Sequence, residues 1–314
     1  MKRIPCTLAA AWLALGQVQA AVTTSEGIPL FLSANELGSL PDEAEIKFRI
    51  SMMRSPITTG YDADVRAYLN RYLSYGIRDT EGILGRAMVY LPVIEHYLEM
   101  NGLPTQLKYL PIVESALVPH TSSTQGAAGL WQLVPETARS LGLVVNSILD
   151  ERKDPNRATE AAAKYLKRLH KKYGNWNLAL VAYNCGPGRL NKAIEKAGCK
   201  NYDEIKHHLP KETQTYLARY LAAAYVATYF HHHDLAPALP DPTLLNAMAA
   251  RVYGTISLQK ISKITGLSLS TLRYLNPGYL ADKLPAKLEG TFLTLPKSAW
   301  VPYLEALNRT ALRP

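Results

Sequence analysis

Residues 155–198 read PNRATEAAAKYLKRLHKKYGNWNLALVAYNCGPGRLNKAIEKAG, and this stretch decides the fold. It divides into three helical runs, 156–173, 176–184 and 187–197. Gly174 and Gly198 fall where helices stop, because a C-terminal cap often needs the left-handed conformation that glycine adopts freely. Working upstream, Val65, Tyr68, Leu69, Tyr72 and Leu73 recur at three- and four-residue steps, as do Ile83, Met88, Leu91, Ile94 and Leu98. That spacing predicts helix between Asp62 and Met100. Further helices are expected at about 135–141, ending at Gly142, and at 211–231. No alternating strand pattern occurs before residue 245, so the body is all-α.

The flanks read differently. Lys2 and Arg3, the apolar run Thr7–Gly16 and the small residues of Val18-Gln19-Ala20 have the layout of a secretory signal peptide cleaved after Ala20. The apolar run is too short for a membrane span, which needs about 20 residues. Cys6 precedes that run, so no lipid anchor is expected. Residues 21–84 form a lead-in, loosely packed over 21–60, followed by helices. The helical body covers 85–235, and the proline-rich stretch 236–249 reads as a linker. A small separate β-α-α-β module is expected at 250–297, with strands at 251–253 and 291–295 and helices at 257–265 and 270–275. Residues 298–314 are read as a tail.

The chain has 314 residues, is 47% hydrophobic and carries a formal net charge of +9. For an exported protein this charge suits anionic lipid or an acidic wall polymer better than nucleic acid. Cys185 and Cys199 flank a helix about 16 Å long, whereas bridged Cα atoms lie within about 7 Å. Two free thiols are expected. His231-His232-His233 has no Cys, Asp or Glu cluster to complete a metal site and reads as a solvated helix end. No metal or cofactor is expected.

The chemistry concentrates between Leu110 and Gln132. Glu114 follows Pro111, which should kink or interrupt its helix, and has Leu110, Ile112, Val113, Ala116 and Leu117 for neighbours. Burial raises a carboxylate's pKa, as a general acid near neutral pH requires. The alternative is a Glu on a wet helix face. The Gly-rich segment Ser122–Gly129 lets backbone approach a bulky ligand. Trp131 is a candidate for stacking on sugar, and Gln132, Tyr183 and Asn184 supply amides and a phenol. Taken singly, Trp131 could be core, Tyr183 a packed aromatic and Asn184 a cap.

Leu110-Pro111-Ile112-Val113-Glu114-Ser115, Gly126-Ala127-Ala128-Gly129-Leu130-Trp131-Gln132 and Ala182-Tyr183-Asn184-Cys185-Gly186-Pro187-Gly188 resemble, in order and spacing, the soluble lytic transglycosylase (SLT) catalytic domain family. Within it they are most similar to the branch of membrane-bound lytic murein transglycosylase D. Pro210–Tyr216 resembles the family's late helix, whose Tyr reaches the active site. The resemblance implies a lysozyme-like fold with Glu114 as catalytic carboxylate and Ser115 assisting through hydrogen bonds. Gly129, Trp131, Gln132, Tyr183, Asn184 and Tyr216 would serve substrate binding. It also implies cleavage of the β-1,4 bond between N-acetylmuramic acid and N-acetylglucosamine in peptidoglycan, leaving 1,6-anhydro ends, in the periplasm. The partners implied are glycan strands and other wall-remodelling proteins.

The residues agree with a one-carboxylate scheme. Glycosidases that use water pair two carboxylates about 5–9.5 Å apart, yet no second Asp or Glu lies within the motifs. Glu136 suits the first turn of its helix, and Asp150, Glu151 and Asp154 read as caps or solvated charges. The tail module resembles a LysM-like segment at Leu272, Leu275-Asn276-Pro277 and Leu295-Pro296, without the usual Gly-Asp-Thr opening. Two other readings remain at this point: a hydrolase of the same fold, and a non-catalytic wall-binding scaffold.

Overall fold

The computed structural model describes residues 21–23, 29–31 and 43–311; the signal-peptide stretch 1–20 lies outside them. In the N-terminal unit, β1 (Ala21–Thr23) pairs antiparallel with β2 (Pro29–Phe31). The second unit, residues 43–314, begins with α1 (Glu43–Met52) and α2 (Ala63–Asn70). A π-helical turn, Arg71–Tyr75, then leads into the 24-residue α3 (Ile77–Met100). Next come the six-residue α4 (Leu110–Ser115), α5 (Pro135–Ser140), α6 (Pro155–Tyr173), α7 (Trp176–Cys185) and α8 (Pro187–Ala197). Two short helices, α9 (Tyr202–Ile205) and α10 (Lys211–Gln214), precede α11 (Tyr216–Tyr229).

α7 and α11 form the centre of this body. Every residue from Leu178 to Ala182 and from Leu221 to Val226 is buried. A helix that is apolar on all sides belongs in the interior, and α7 is covered by α6, α8 and α11. Gly174 and Gly198 adopt φ of 82° and 66° and close α6 and α8 as expected. Pro111 marks an interruption, as expected: a 3-10 turn ends at Tyr109, and Pro111 occupies the first turn of α4, where its missing N–H costs nothing. Two expectations need correction. The helix expected over 211–231 breaks at Thr215, whose hydroxyl pairs with the Tyr68 phenol at 3.0 Å. Residues 43–60 are not loosely packed, since Ile46, Ile50 and Ile57 join the main core.

After α12 (Pro242–Leu245), β3 (Ala247–Val252) pairs antiparallel with β6 (Thr291–Pro296), with Ala247 opposite Pro296. Between them lie β4 (Ile256–Ser257), α13 (Leu258–Thr265), α14 (Leu269–Leu275) and β5 (Lys283–Leu284). This is the expected β-α-α-β order. The segment after β6 is not a loose tail. α15 (Lys297–Ala311) inserts Trp300 and Tyr303 into the module's core, and the Trp300 indole donates to Met248 O at 3.1 Å.

Nor is the module separate. Leu149, from the loop before α6, is buried in the module's core, while Leu275 belongs to the main core. Asp150 N donates to Gly278 O at 2.9 Å, and Lys287 reaches the buried Glu151 at 2.5 Å. The stretch expected as a linker is packed as well: Ala238 N donates to Glu81 O, and a Cβ on Gly85 would meet Ala238 O at 1.7 Å. No described helix is long and apolar enough to cross a membrane.

Removing a buried Trp costs about 3–5 kcal/mol through lost contacts and the cavity left behind. Trp300→Ala is therefore expected to lower unfolding free energy by about that amount in urea titrations. A loss below about 0.5 kcal/mol, the scale of surface changes, would show α15 to be dispensable.

Candidate active site

Glu114 sits in the last turn of α4, whose start is driven into the core by Leu110, Pro111 and Ile112. The helix is halted by two successive left-handed residues, Ala116 at φ 51° and Leu117 at φ 59°. Non-glycine residues pay about 1–3 kcal/mol for such conformations, which gather at functional sites. Leu117 is fully buried, and that burial holds the turn in place.

Hydrogen bonds fix the last turn of α4 and the residue after it. Ser115 Oγ contacts both Pro111 O (3.1 Å) and Leu130 O (2.9 Å). Arg219 of α11 donates to Val113 O at 3.2 Å, and Arg86 of α3 donates to Ala116 O at 2.8 Å. Ser115 thus holds the helix to the following loop; its hydroxyl is directed to backbone carbonyls, not to the Glu114 carboxylate.

Burial raises the Glu114 carboxyl to about 7, against lowering by the Tyr216 hydrogen bond and the Arg219 charge. The fully buried Tyr216 phenol donates to Glu114 Oε1. Tyr216 and Tyr183 are both held well above the usual phenol range, mainly by burial and then by the Glu114 charge. Both phenols therefore stay protonated and act as donors. The other carboxylate acting on Glu114 is Glu212, which is 74% exposed and lies 3.6 Å from Arg219.

The remaining expected site residues have specific places. Gly129 lies at φ 80°, and a Cβ there would be 1.7 Å from Arg152 O, so only glycine fits. Its loop is closed by Gly129 N donating to Thr121 O, and Gln132 Nε2 donates to Gly129 O at 2.9 Å. The Tyr183 phenol donates to Trp131 O at 2.6 Å, and Asn184 Oδ1 accepts from Thr213 at 2.8 Å. Trp131 is not a stacking platform. Its ring is completely buried, with its N–H donating to Thr159 at 2.9 Å. Trp131 packs edge-on to Tyr183 and is part of the wall behind the site.

Sequence reading missed Arg152. Buried and paired with Asp150 at 2.8 Å, it donates to Gly126 O and Leu133 O and braces the glycine-rich loop from beneath. Asp154 caps α6 and Asp150 caps the short turn Glu151–Lys153, as expected, while Glu151 is buried and neither cap nor solvated charge. An Arg-Lys sequence next to Asp residues gives no sign of such burial. Cys185 and Cys199 are free thiols. His231 and His232 are exposed, as a solvated helix end requires, and the part-buried His233 hydrogen-bonds the Tyr225 phenol at 2.9 Å.

Sequence comparison places these elements among known proteins. Residues 92–206 match the family described as Transglycosylase SLT domain, and residues 249–307 match the LysM-like domain of lytic transglycosylase MltD. The chain is 35% identical over 205 residues to membrane-bound lytic murein transglycosylase D of Escherichia coli. That match covers 64% of this chain and 45% of the relative. Similarity to membrane-bound lytic murein transglycosylase F of Yersinia pestis is 29% over 163 residues, covering 47% of this chain and 32% of that one. The chain thus spans less than half the length of either relative. Among solved structures, the 70-kDa soluble lytic transglycosylase of E. coli matches with a TM-score of 0.41 at 20% identity. That match covers 55% of this chain and 30% of the other.

Two measurements test the electrostatics. Tyr216→Phe removes a bond that favours the ionised form, so Glu114 should titrate above about 7 in carboxyl NMR. An unchanged or lower midpoint would contradict the assigned contact. A carboxyl with a folded pKa raised from 4.5 to about 7 loses stability as pH rises between those values. Glu114→Gln should accordingly gain stability relative to the parent between pH 5 and pH 8, by up to about 3 kcal/mol. Equal differences at both pH values would show the carboxyl to be unperturbed.

Proposed function

We propose that this chain is a lytic transglycosylase, which cuts the β-1,4 bond after N-acetylmuramic acid in peptidoglycan with Glu114 as acid and then base. The observation that carries the reading is one buried carboxyl held near neutrality, gripped by a phenol, within a segment matching the SLT domain. The names of the relatives support the substrate class.

The reaction balances with a single carboxyl. Protonated Glu114 gives its proton to the glycosidic oxygen as the C1–O bond breaks, releasing the 4-hydroxyl of the next sugar. The carboxylate then takes the proton of the muramic acid's own 6-hydroxyl, whose oxygen bonds to C1. No water is consumed, and Glu114 ends protonated as it began. A pKa near the working pH suits both halves of this cycle. Tyr216, by donating to Oε1, stabilises the carboxylate stage and leaves the other oxygen to exchange the proton. Ser115, Arg86 and Arg219 keep α4 in register, and Gln132, Tyr183 and Asn184 border the groove. The N-terminal 20 residues support export, so the enzyme would meet its polymer in the periplasm.

Glu114→Gln should lower turnover on purified sacculi by about 10⁴-fold or more, the upper range of general acid–base catalysis. Mass spectrometry of the parent's digests should give anhydro-muropeptides, one water lighter than hydrolysed ones. Reducing muramic acid ends carrying oxygen from labelled water would replace this reading with that of a hydrolase. Near-parental turnover of Glu114→Gln would remove the carboxyl from its role.

A further inference from the structure

A cavity of about 510 Å³ opens beside α4, between the π-helical turn, the start of α3 and α11. Four arginines line it, Arg71, Arg78, Arg86 and Arg219, against one acidic side chain, Asp79. Arg86 and Arg219 already hold the carbonyls on either side of Glu114. Arg71 and Arg78 are exposed, and neither forms an ion pair among the described residues. Such a concentration of like charge is unfavourable in the empty state and is relieved by an anion.

The backbone here is shaped for the purpose. Arg71 opens a π-helical turn, a form common at functional sites. The turn is closed by Gly76 N donating to Arg71 O at 2.9 Å, and a Cβ on Gly76 would come within 2.7 Å of that oxygen. Much of the lining precedes residue 92, where the SLT match begins, and comes from α2, the π-helical turn and the first part of α3. Ile112, Val113 and Ala116 of the α4 segment line it, so an occupant would touch the turn that carries Glu114.

We propose that this cavity is a subsite for a carboxylate on the glycan strand, gripped by Arg71 and Arg78 against the helix that carries Glu114. The inference rests on the peptidoglycan reading above. Muramic acid offers a carboxylate from two sources: its lactyl group when bare, or the stem peptide attached there. Guanidinium groups recognise either through paired N–H···O bonds.

Binding tests the subsite without any requirement for cleavage, so a different reaction product would leave its outcome intact. The full chain carrying Glu114→Gln is titrated with end-labelled strands by fluorescence anisotropy. The strands are peptide-bearing, amidase-stripped with free lactyl carboxylates, or either form methyl-esterified. Esterification should weaken binding by about tenfold, and Arg71→Gln with Arg78→Gln should abolish that difference. Tight binding of the stripped strand assigns the site to the lactyl group; tight binding of the peptide-bearing strand alone assigns it to the stem. Equal affinity for charged and esterified strands, or discrimination that survives the double substitution, overturns the proposal.

Discussion

The rest of the site depends on a short helix being held in place while its one acid is kept from water. A carboxylate in apolar surroundings tends either to swing toward solvent or to pull the backbone after it. α4 prevents both. Its first turn is anchored by buried Leu110 and Ile112; Arg219 holds Val113 O, Arg86 holds Ala116 O just beyond the helix, and Ser115 ties it to Leu130 O. The left-handed exit at Ala116 and Leu117 then takes the chain away at once, so no further turn covers Glu114. The acid is desolvated enough to sit near neutral pH yet keeps a fixed hydrogen-bonding partner in Tyr216.

That partner comes from a residue 102 positions away, which explains the layout of the body. Tyr216 stands in the first turn of α11, and α11 is buried from its first residue. Breaking the late helix at Thr215 starts α11 afresh at Tyr216. α7 fills the core beside it, and near its end Tyr183 donates to Trp131 O while Asn184 accepts from Thr213. Two deeply buried helices thus place their ends near Glu114, and the fold's stability and the position of this carboxyl share the same contacts.

Much of this was legible in the sequence, for identifiable reasons. Gly174 and Gly198 marked the ends of α6 and α8 because left-handed caps favour glycine. Glu114 stood out because its neighbours were apolar on both sides. Trp131 was misread because an aromatic beside a glycine-rich loop looks the same whether it faces sugar or core; the decisive partner, Thr159, is 28 residues away. Arg152 was invisible for the same reason, since its carbonyl partners at Gly126 and Leu133 become neighbours only in three dimensions. The tail was misjudged because α15 has a weakly patterned face, with Ala299, Trp300 and Tyr303 its described residues in the module's core.

The seam between the helical body and the β-α-α-β module has a mechanical meaning. The module's Gly278 holds Asp150; Asp150 pairs with Arg152; and Arg152 supports the loop of Gly129 and Gln132. A load applied to the module enters the body within a few residues of the glycine-rich loop and not through a slack connection. Leu149 and Leu275, each buried in the other part's core, work like dowels across a joint. The LysM-like match begins at residue 249, yet packing and hydrogen bonds run across that boundary without a break.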